Sequence, residues 1–221
     1  MQWDGSEIPL LTMIPPARLS EVMVVRRYGG GTYIFKQNDP TTGLWFVLNG
    51  TVAVERVEID GHLTTAGVWA SGDIVGIAGL WDKSGYPASA RALTDSTVMG
   101  WILRETVMRL HVEIPAFGLE ITRLLSQRLR LIHESISSRQ GRPIIVQVAS
   151  VLWTLSQRMG TTINLTHEDL SHIIGTHRET VSRAVHELTR EGIVMSQHGA
   201  IHIIHPDKLA NWGLIMNKPN D

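Results

Sequence analysis

Between about Arg26 and Met99, apolar positions come in short runs rich in Val, Ile, Trp and Phe. Glycine-marked turns separate them at Gly29-Gly30-Gly31, Asn49-Gly50, Asp60-Gly61 and Ser71-Gly72-Asp73. Short strands at this even spacing predict a small β sandwich or barrel. Residues 44–54 read as two strands about Asn49-Gly50, a hairpin signal because both residues tolerate positive φ. From roughly 114 to 138 the period lengthens. Leu125, Leu129, Ile132 and Ile136 recur at intervals of four, three and four, a heptad-like seam on one long helix with Arg123, Arg128, Arg130 and Glu134 elsewhere on its surface. Packing of one face on the β region would explain the seam, and so would pairing with a second copy of the chain. The helix is longer than a small β domain can cover, which favours the homodimer. Arg139 to Pro143 reads as a hinge, since glycine and proline end the helix. The expected organisation is therefore α+β: residues 1–113 form an N-terminal β jelly-roll, 114–138 a dimerisation helix, 139–143 a hinge and 144–221 a mainly helical unit.

Composition narrows the function. Of 221 residues, 43% are hydrophobic and 19% charged, enough for a packed core and too little polarity for disorder. No apolar run approaches the ~18 residues of a membrane span, and the first residues lack a basic region followed by an apolar stretch, so a cytoplasmic protein is expected. The absence of cysteine excludes disulfides, thiolate zinc and cysteine-ligated iron–sulfur clusters. A net charge of −1 confines any nucleic-acid contact to a local patch. Seven histidines (His167, His172, His177, His186, His198, His202 and His205) crowd the last third of the chain, so this segment is expected to gain positive charge as pH falls.

In that third, residues 166–175 read as a capped helix. Thr166 suits the N-cap, Glu168 and Asp169 complement the first-turn dipole, and Gly175 suits the left-handed C′ position. A second helix follows almost at once over residues 176–188, which makes a helix-turn-helix. Ser171 is small where the helices cross. Val181, Ala184, Val185 and Leu188 share one side of the second helix, while Arg178, Glu179, Ser182 and Arg183 fan across the other. That outward face suits a major groove. Arginine pairs with guanine O6/N7, glutamate accepts from cytosine N4, and serine bonds phosphate or base. On an isolated helix the same residues would make an ordinary solvated face. Residues 192–194 and 200–204 read as two strands about a Gln197-His198-Gly199 turn, a wing beside the helices. The candidate DNA-binding set is Thr166, Thr176, His177, Arg178, Glu179, Ser182 and Arg183.

Together these features resemble the cyclic-AMP receptor protein/FNR family of bacterial transcription regulators. The match rests on Phe46-Val47-Leu48-Asn49-Gly50-Thr51-Val52, Gly72-Asp73-Ile74-Val75-Gly76 and Arg178-Glu179-Thr180-Val181-Ser182-Arg183, the last being the most specific. The resemblance implies a cyclic-nucleotide-binding-like sensory domain, a two-fold dimer, a TGTGA-like palindrome with half-sites one helical turn apart, and contact with RNA polymerase. It also implies that Arg178 and Arg183 meet guanines and Glu179 a cytosine.

The effector region departs from the family pattern. In the cyclic-AMP branch a Gly-Glu segment meets the ribose and an Arg-Ser pair holds the phosphate. Here Ile77-Ala78 follows Gly76, and Tyr86-Pro87-Ala88-Ser89 stands where Arg-Ser would be. Burying a phosphodiester charge without a cation is costly, and Arg91 corresponds to a different arginine of the pattern, so cyclic AMP is not the expected effector. Haem stays open through His62, His111 and His133, the last on the dimer helix. Another metabolite in an apolar pocket lined by Ile74, Ile77, Leu80, Trp81 and Tyr86 also stays open, as does the absence of any effector. The candidate pocket set is Gly76, Ile77, Ala78, Tyr86, Pro87, Ala88, Ser89 and His133. Trp45, Trp69, Trp81 and Trp101 read as core. A cupin-like metalloenzyme would need clustered ligands on adjacent strands, and His62 is the single histidine between Arg26 and Met99. No catalytic or metal-ligating set is expected; the expected partners are double-stranded DNA, a second copy and RNA polymerase, with no membrane.

Overall fold

The computed structural model describes residues 8–59, 61–81, 84–139, 142–197 and 199–215, with backbone alone over 131–139 and 213–215. Two compact units divide the chain between Glu134 and Ser135, with Leu63–Thr65 grouped with the second.

The first unit opens with two short helices, α1 (Pro9–Thr12) and α2 (Pro16–Val22), each with proline at its start, where a missing N–H costs nothing. Eight strands follow: β1 (Met23–Tyr28), β2 (Tyr33–Phe35), β3 (Gly43–Asn49), β4 (Thr51–Val57), β5 (Leu63–Ala70), β6 (Ile74–Val75), β7 (Ser89–Ala92) and β8 (Thr97–Leu103). They form two four-stranded sheets, ordered β1-β8-β3-β6 and β2-β7-β4-β5. Helix α3 (Arg104–Glu113) and α4 (Pro115–Arg139) as far as Glu134 complete the unit. Strand β3 is buried on both faces, and its alternation divides two cores. Trp45 and Val47 pack with Phe35, Val52, Val75, Tyr86 and Met99. Leu44, Phe46 and Leu48 pack instead with Ile8, Leu10, Leu11 and Ile14 of the N-terminal segment, and with Val107, Leu110, Phe117 and Ile121 of α3 and α4.

The expected hairpin at Asn49-Gly50 is not one. Gly50 does take positive φ (90°), but β3 and β4 lie in different sheets, so the turn carries the chain from one layer to the other. A Cβ at Gly50 would sit 2.5 Å from Thr94 Oγ1 and 2.9 Å from Thr97 Cα, so glycine is required by close approach as well as by φ. Helices α1, α2 and α3 lie within what the sequence marks simply as the β region.

The second unit comprises α5 (Ile144–Met159), β9 (Thr162–Ile163), α6 (His167–Ile174), α7 (Arg178–Arg190), β10 (Val194–Gln197), β11 (Ala200–Ile203) and α8 (Pro206–Ile215). Strand β11 pairs antiparallel with both β10 and β9, giving the order β10-β11-β9. The two-residue β9 is too short to show a period in sequence. Val148, Leu152, Leu170, Val181, Val185, Leu188, Ile201 and Leu209 are fully buried and make this unit's core. Of the expected hinge, Gln140 and Gly141 lie outside the described residues.

Candidate nucleic-acid interface

Helix α6 is fixed at both ends by local chemistry. Thr166 caps its start: the Asp169 N–H donates to Thr166 Oγ1 at 3.1 Å, and the Thr166 N–H donates to the Asp169 carboxylate at 2.9 Å, a reciprocal capping box. Gly175 ends it in the left-handed region (φ 77°, ψ 46°), and the N–H groups of Gly175 and Thr176 both donate to the Ser171 carbonyl. The chain reverses within two residues. Thr176 and His177 belong to this turn, and α7 begins at Arg178 with His177 as its N-cap. Ser171 is buried at the crossing, its hydroxyl donating to the Glu168 carbonyl at 2.7 Å.

On α7, Val181, Ala184, Val185 and Leu188 are buried, whereas Arg178, Glu179, Arg183 and His186 are exposed and Ser182 is half-buried. Among the described residues, no ion pair to a carboxylate engages Arg178 or Arg183; the Arg183 guanidinium reaches only the Thr180 hydroxyl, at 3.4 Å. The face thus keeps its donors for an external acceptor. The wing lies next to it through β10, whose Met195, Ser196 and Gln197 are exposed.

One residue links these elements in a way its sequence position does not reveal. His167, the first residue of α6, places Nδ1 3.0 Å from Ser182 Oγ on α7 and Nε2 3.0 Å from Ser196 Oγ on β10. Burial, and then the neighbouring Arg178 guanidinium, hold its imidazole below the ordinary histidine value. His167 therefore does not join the rise of positive charge near neutral pH expected of the histidine-rich segment. His202 bonds Thr162 Oγ1 through Nδ1 at 3.2 Å, tying β11 to β9, and His198 lies outside the described residues.

Among the effector candidates, Gly76 and Tyr86 lie against each other, since a Cβ at Gly76 would sit 3.0 Å from Tyr86 Cε1. Tyr86 is fully buried and stacked on Phe35 (3.8 Å between centroids). Its hydroxyl accepts from Trp45 Nε1 at 3.1 Å and donates to the Gly43 carbonyl at 3.1 Å. Ile77 belongs to the core around α3 and α4, and Gly76 precedes it at a left-handed turn. Ser89 is buried and accepts from the Gln37 N–H at 2.9 Å; Ala88 is buried, while Ala78 and Pro87 are exposed. The His133 side chain lies outside what is described. Arg91 is held by Glu55, which is 1% exposed: Nε lies 3.0 Å from each carboxylate oxygen and a terminal nitrogen also meets Oε1. Arg128, which the sequence places on a solvated face of the long helix, instead donates to the Ile74 carbonyl and lies 5.5 Å over the Trp69 ring. Trp81, expected in the core, is 39% exposed and rests edge-on against His111.

Comparison with known proteins follows this architecture. Residues 25–108 match the family model of the cyclic nucleotide-binding domain, and residues 146–212 match that of the Crp-like helix-turn-helix domain. The chain is similar to the cyclic AMP receptor protein of Thermus thermophilus, with 30% identity over 181 residues covering 80% of this chain and 82% of that protein. It is also similar to a CRP-like cAMP-activated global transcriptional regulator of Mycobacterium tuberculosis, with 23% identity over 188 residues covering 81% and 84%. The solved structure of FixK2 from Bradyrhizobium japonicum shares the fold, with a TM-score of 0.76 at 20% identity over 86% of this chain and 97% of that one.

Proposed function

Since the chain belongs to the cyclic-AMP receptor protein/FNR family of DNA-binding transcription regulators, which are not enzymes, we propose that it works as a two-fold dimer reading a TGTGA-like palindrome through α7. The observation that carries this reading is the outward face of α7 beside the wing, where Arg178 and Arg183 are exposed and, among the described residues, meet no carboxylate. Arg178 and Arg183 present guanidinium forks to guanine O6/N7, and Glu179 accepts from cytosine N4. Ser182 bonds a base or phosphate, while Thr166, Thr176 and His177 at the helix starts approach the backbone. Each half-site then lies about 34–36 Å from the next.

The dimer reading is supported by α4. At about 100° per residue, Phe117, Ile121, Leu124 and Arg128 share one side, and Leu125 and Leu129 are displaced by roughly a quarter turn. Phe117 and Ile121 are fully buried in their own chain, whereas Leu129 is 58% exposed. Leu125 still packs partly against the chain's own core, and Leu129 is the seam residue that turns away from it. Ile132 and Ile136 extend the seam in sequence, but their side chains lie outside the described set. On this reading residues 1–113 sense, 114–138 pair, 139–143 hinge and 144–221 bind DNA.

A cyclic nucleotide does not fit the residues present. Two arginines of this unit, Arg91 and Arg128, are committed elsewhere, Arg91 to Glu55 and Arg128 to the Ile74 carbonyl and the Trp69 ring. The effector, where one acts, is a different small molecule. The test is equilibrium binding of the full chain to an inverted TGTGA/TCACA duplex against a scrambled one at fixed salt, with and without cyclic AMP. Selective binding that cyclic AMP leaves unchanged is expected. Selectivity only with the nucleotide overturns the effector argument, and none in either condition overturns the half-site.

A further inference from the structure

We infer that His167 is a positioning residue of the DNA interface: by joining Ser182 on the recognition helix α7 to Ser196 on the wing strand β10, it sets the direction in which Ser182 offers its hydrogen bond to nucleic acid. The inference rests on the DNA-binding reading above and adds a residue whose role is indirect.

The geometry is specific. Both ring nitrogens of one imidazole lie 3.0 Å from a serine oxygen, and the two serines belong to different elements. The His167 backbone is pinned, because it follows Thr166 directly within the capping box. A neutral imidazole has one N–H donor and one bare acceptor, and each hydroxyl has a single proton. The Ser–His–Ser chain therefore runs in one sense. One serine donates into the ring and shows lone pairs outward; the other accepts from the ring and keeps its proton for an outside acceptor. Without the ring, Ser182 would be a free rotor offering both senses, and β10, an edge strand of its sheet, would lose this tie to α7.

Protonation would disturb this arrangement, since an imidazolium only donates and the donating serine would have to reverse. Burial of the ring and the Arg178 guanidinium oppose that, while the nearby carboxylates favour the charged form. From α7 comes Arg178, one turn before Ser182, with Glu179 and His186 on the same side of the helix. From its own helix come Glu168 and Asp169, the latter engaged with Thr166. Strand β10 contributes Met195, Ser196 and Gln197, none of them charged. Burial and Arg178 keep the ring neutral at ordinary pH.

The experiment begins by selecting a preferred duplex from a random pool with the full wild-type chain at about pH 7.5, where histidine is neutral. Affinity and base preference are then measured for the wild type and for H167A, H167Q and S196A. H167A is expected to weaken selected-duplex binding about tenfold and to flatten base preference at the position facing Ser182, with scrambled-duplex binding unchanged. H167Q carries one amide donor and one carbonyl acceptor and restores both. S196A, on an exposed strand where folding is not at risk, flattens the same position. Once pH is low enough to protonate the ring, the wild type changes its preference there and H167Q does not. Wild-type behaviour in H167A and S196A, or failure of folded H167Q to restore preference, overturns the inference. A wild-type chain that selects no sequence overturns the DNA-binding reading and this inference with it, before any variant is made.

Discussion

Glu55 and Arg91 are diagonal neighbours on adjacent strands: Glu55 stands opposite Ser89, and Arg91 opposite Ala53. The carboxylate is 1% exposed and the arginine side chain 21%, so the pair sits almost wholly within the β unit. Removing Arg91 leaves a desolvated carboxylate beside apolar strands. Such a loss costs about 3–5 kcal/mol, a large share of the ~5–15 kcal/mol that holds an ordinary domain together. Replacing both partners by apolar residues of similar volume removes the charge and its desolvation together, and is often close to neutral. The expected order of stability is therefore wild type near the Glu55→Met/Arg91→Met double variant, both well above Arg91→Met. Urea unfolding of the four members of the cycle gives the coupling directly, provided the slopes agree. A coupling below ~1 kcal/mol would refute the argument and return Arg91 to the pool of cations open to an anionic ligand. A double variant as unstable as Arg91→Met would refute it too. The same experiment bears on regulation, since cyclic AMP should leave the wild-type midpoint where it is if no cation is open to its phosphate.

Four further outcomes are expected. Arg178→Ala should cost about 1–3 kcal/mol of discrimination at a single base position, read from a panel of single-substituted duplexes. Leu129→Glu should shift the chain toward monomer in sedimentation velocity without altering its circular dichroism, because the residue is exposed within one chain. Thr166→Ala should destabilise the second unit by about 1 kcal/mol through loss of the capping box, with Thr166→Ser close to wild type in thermal melts. His167 is held below its unfolded value of 6.5, so the unfolded chain takes up more protons as pH falls past that value. The stability this residue contributes is complete above about pH 6.5 and is lost as pH drops toward the lowered folded value; denaturant titrations should show a loss in that window that His167→Gln lacks.

The helix-turn-helix is legible in sequence because everything that makes it is local: a threonine cap and a positive-φ glycine at the two ends of α6, and an apolar stripe at helical spacing on α7. The β sandwich is legible for the same reason, through its glycine turns and alternating runs. Missing from sequence is whatever depends on a distant partner. Asn49-Gly50 announces a turn but not which sheet receives the strand after it. Arg128 sits on a polar face of its helix, and only folding brings Trp69 and the Ile74 carbonyl beneath it. Tyr86 aligns with a ligand-binding position, yet its hydroxyl is claimed by Trp45 and Gly43 across the sandwich. His167 looks like one of many histidines until Ser182 and Ser196 arrive from two other elements. The short helices α1 and α2 lack the length for a period to show.

The crossing at Gly50 has a consequence for the order in which the molecule folds. Because β3 and β4 go to opposite layers, neither sheet can be completed from neighbours in the chain. Met23 waits for Ile102, and Tyr33 for Arg91. The first unit thus carries the entropic cost of closing long loops before its ladders contribute, which slows its folding. In the second unit, α6 adjoins α7 and β10 adjoins β11 in sequence, so its contacts form early. On refolding of the whole chain from denaturant, the second unit should therefore reach its native form first, while the N-terminal strands still lack partners.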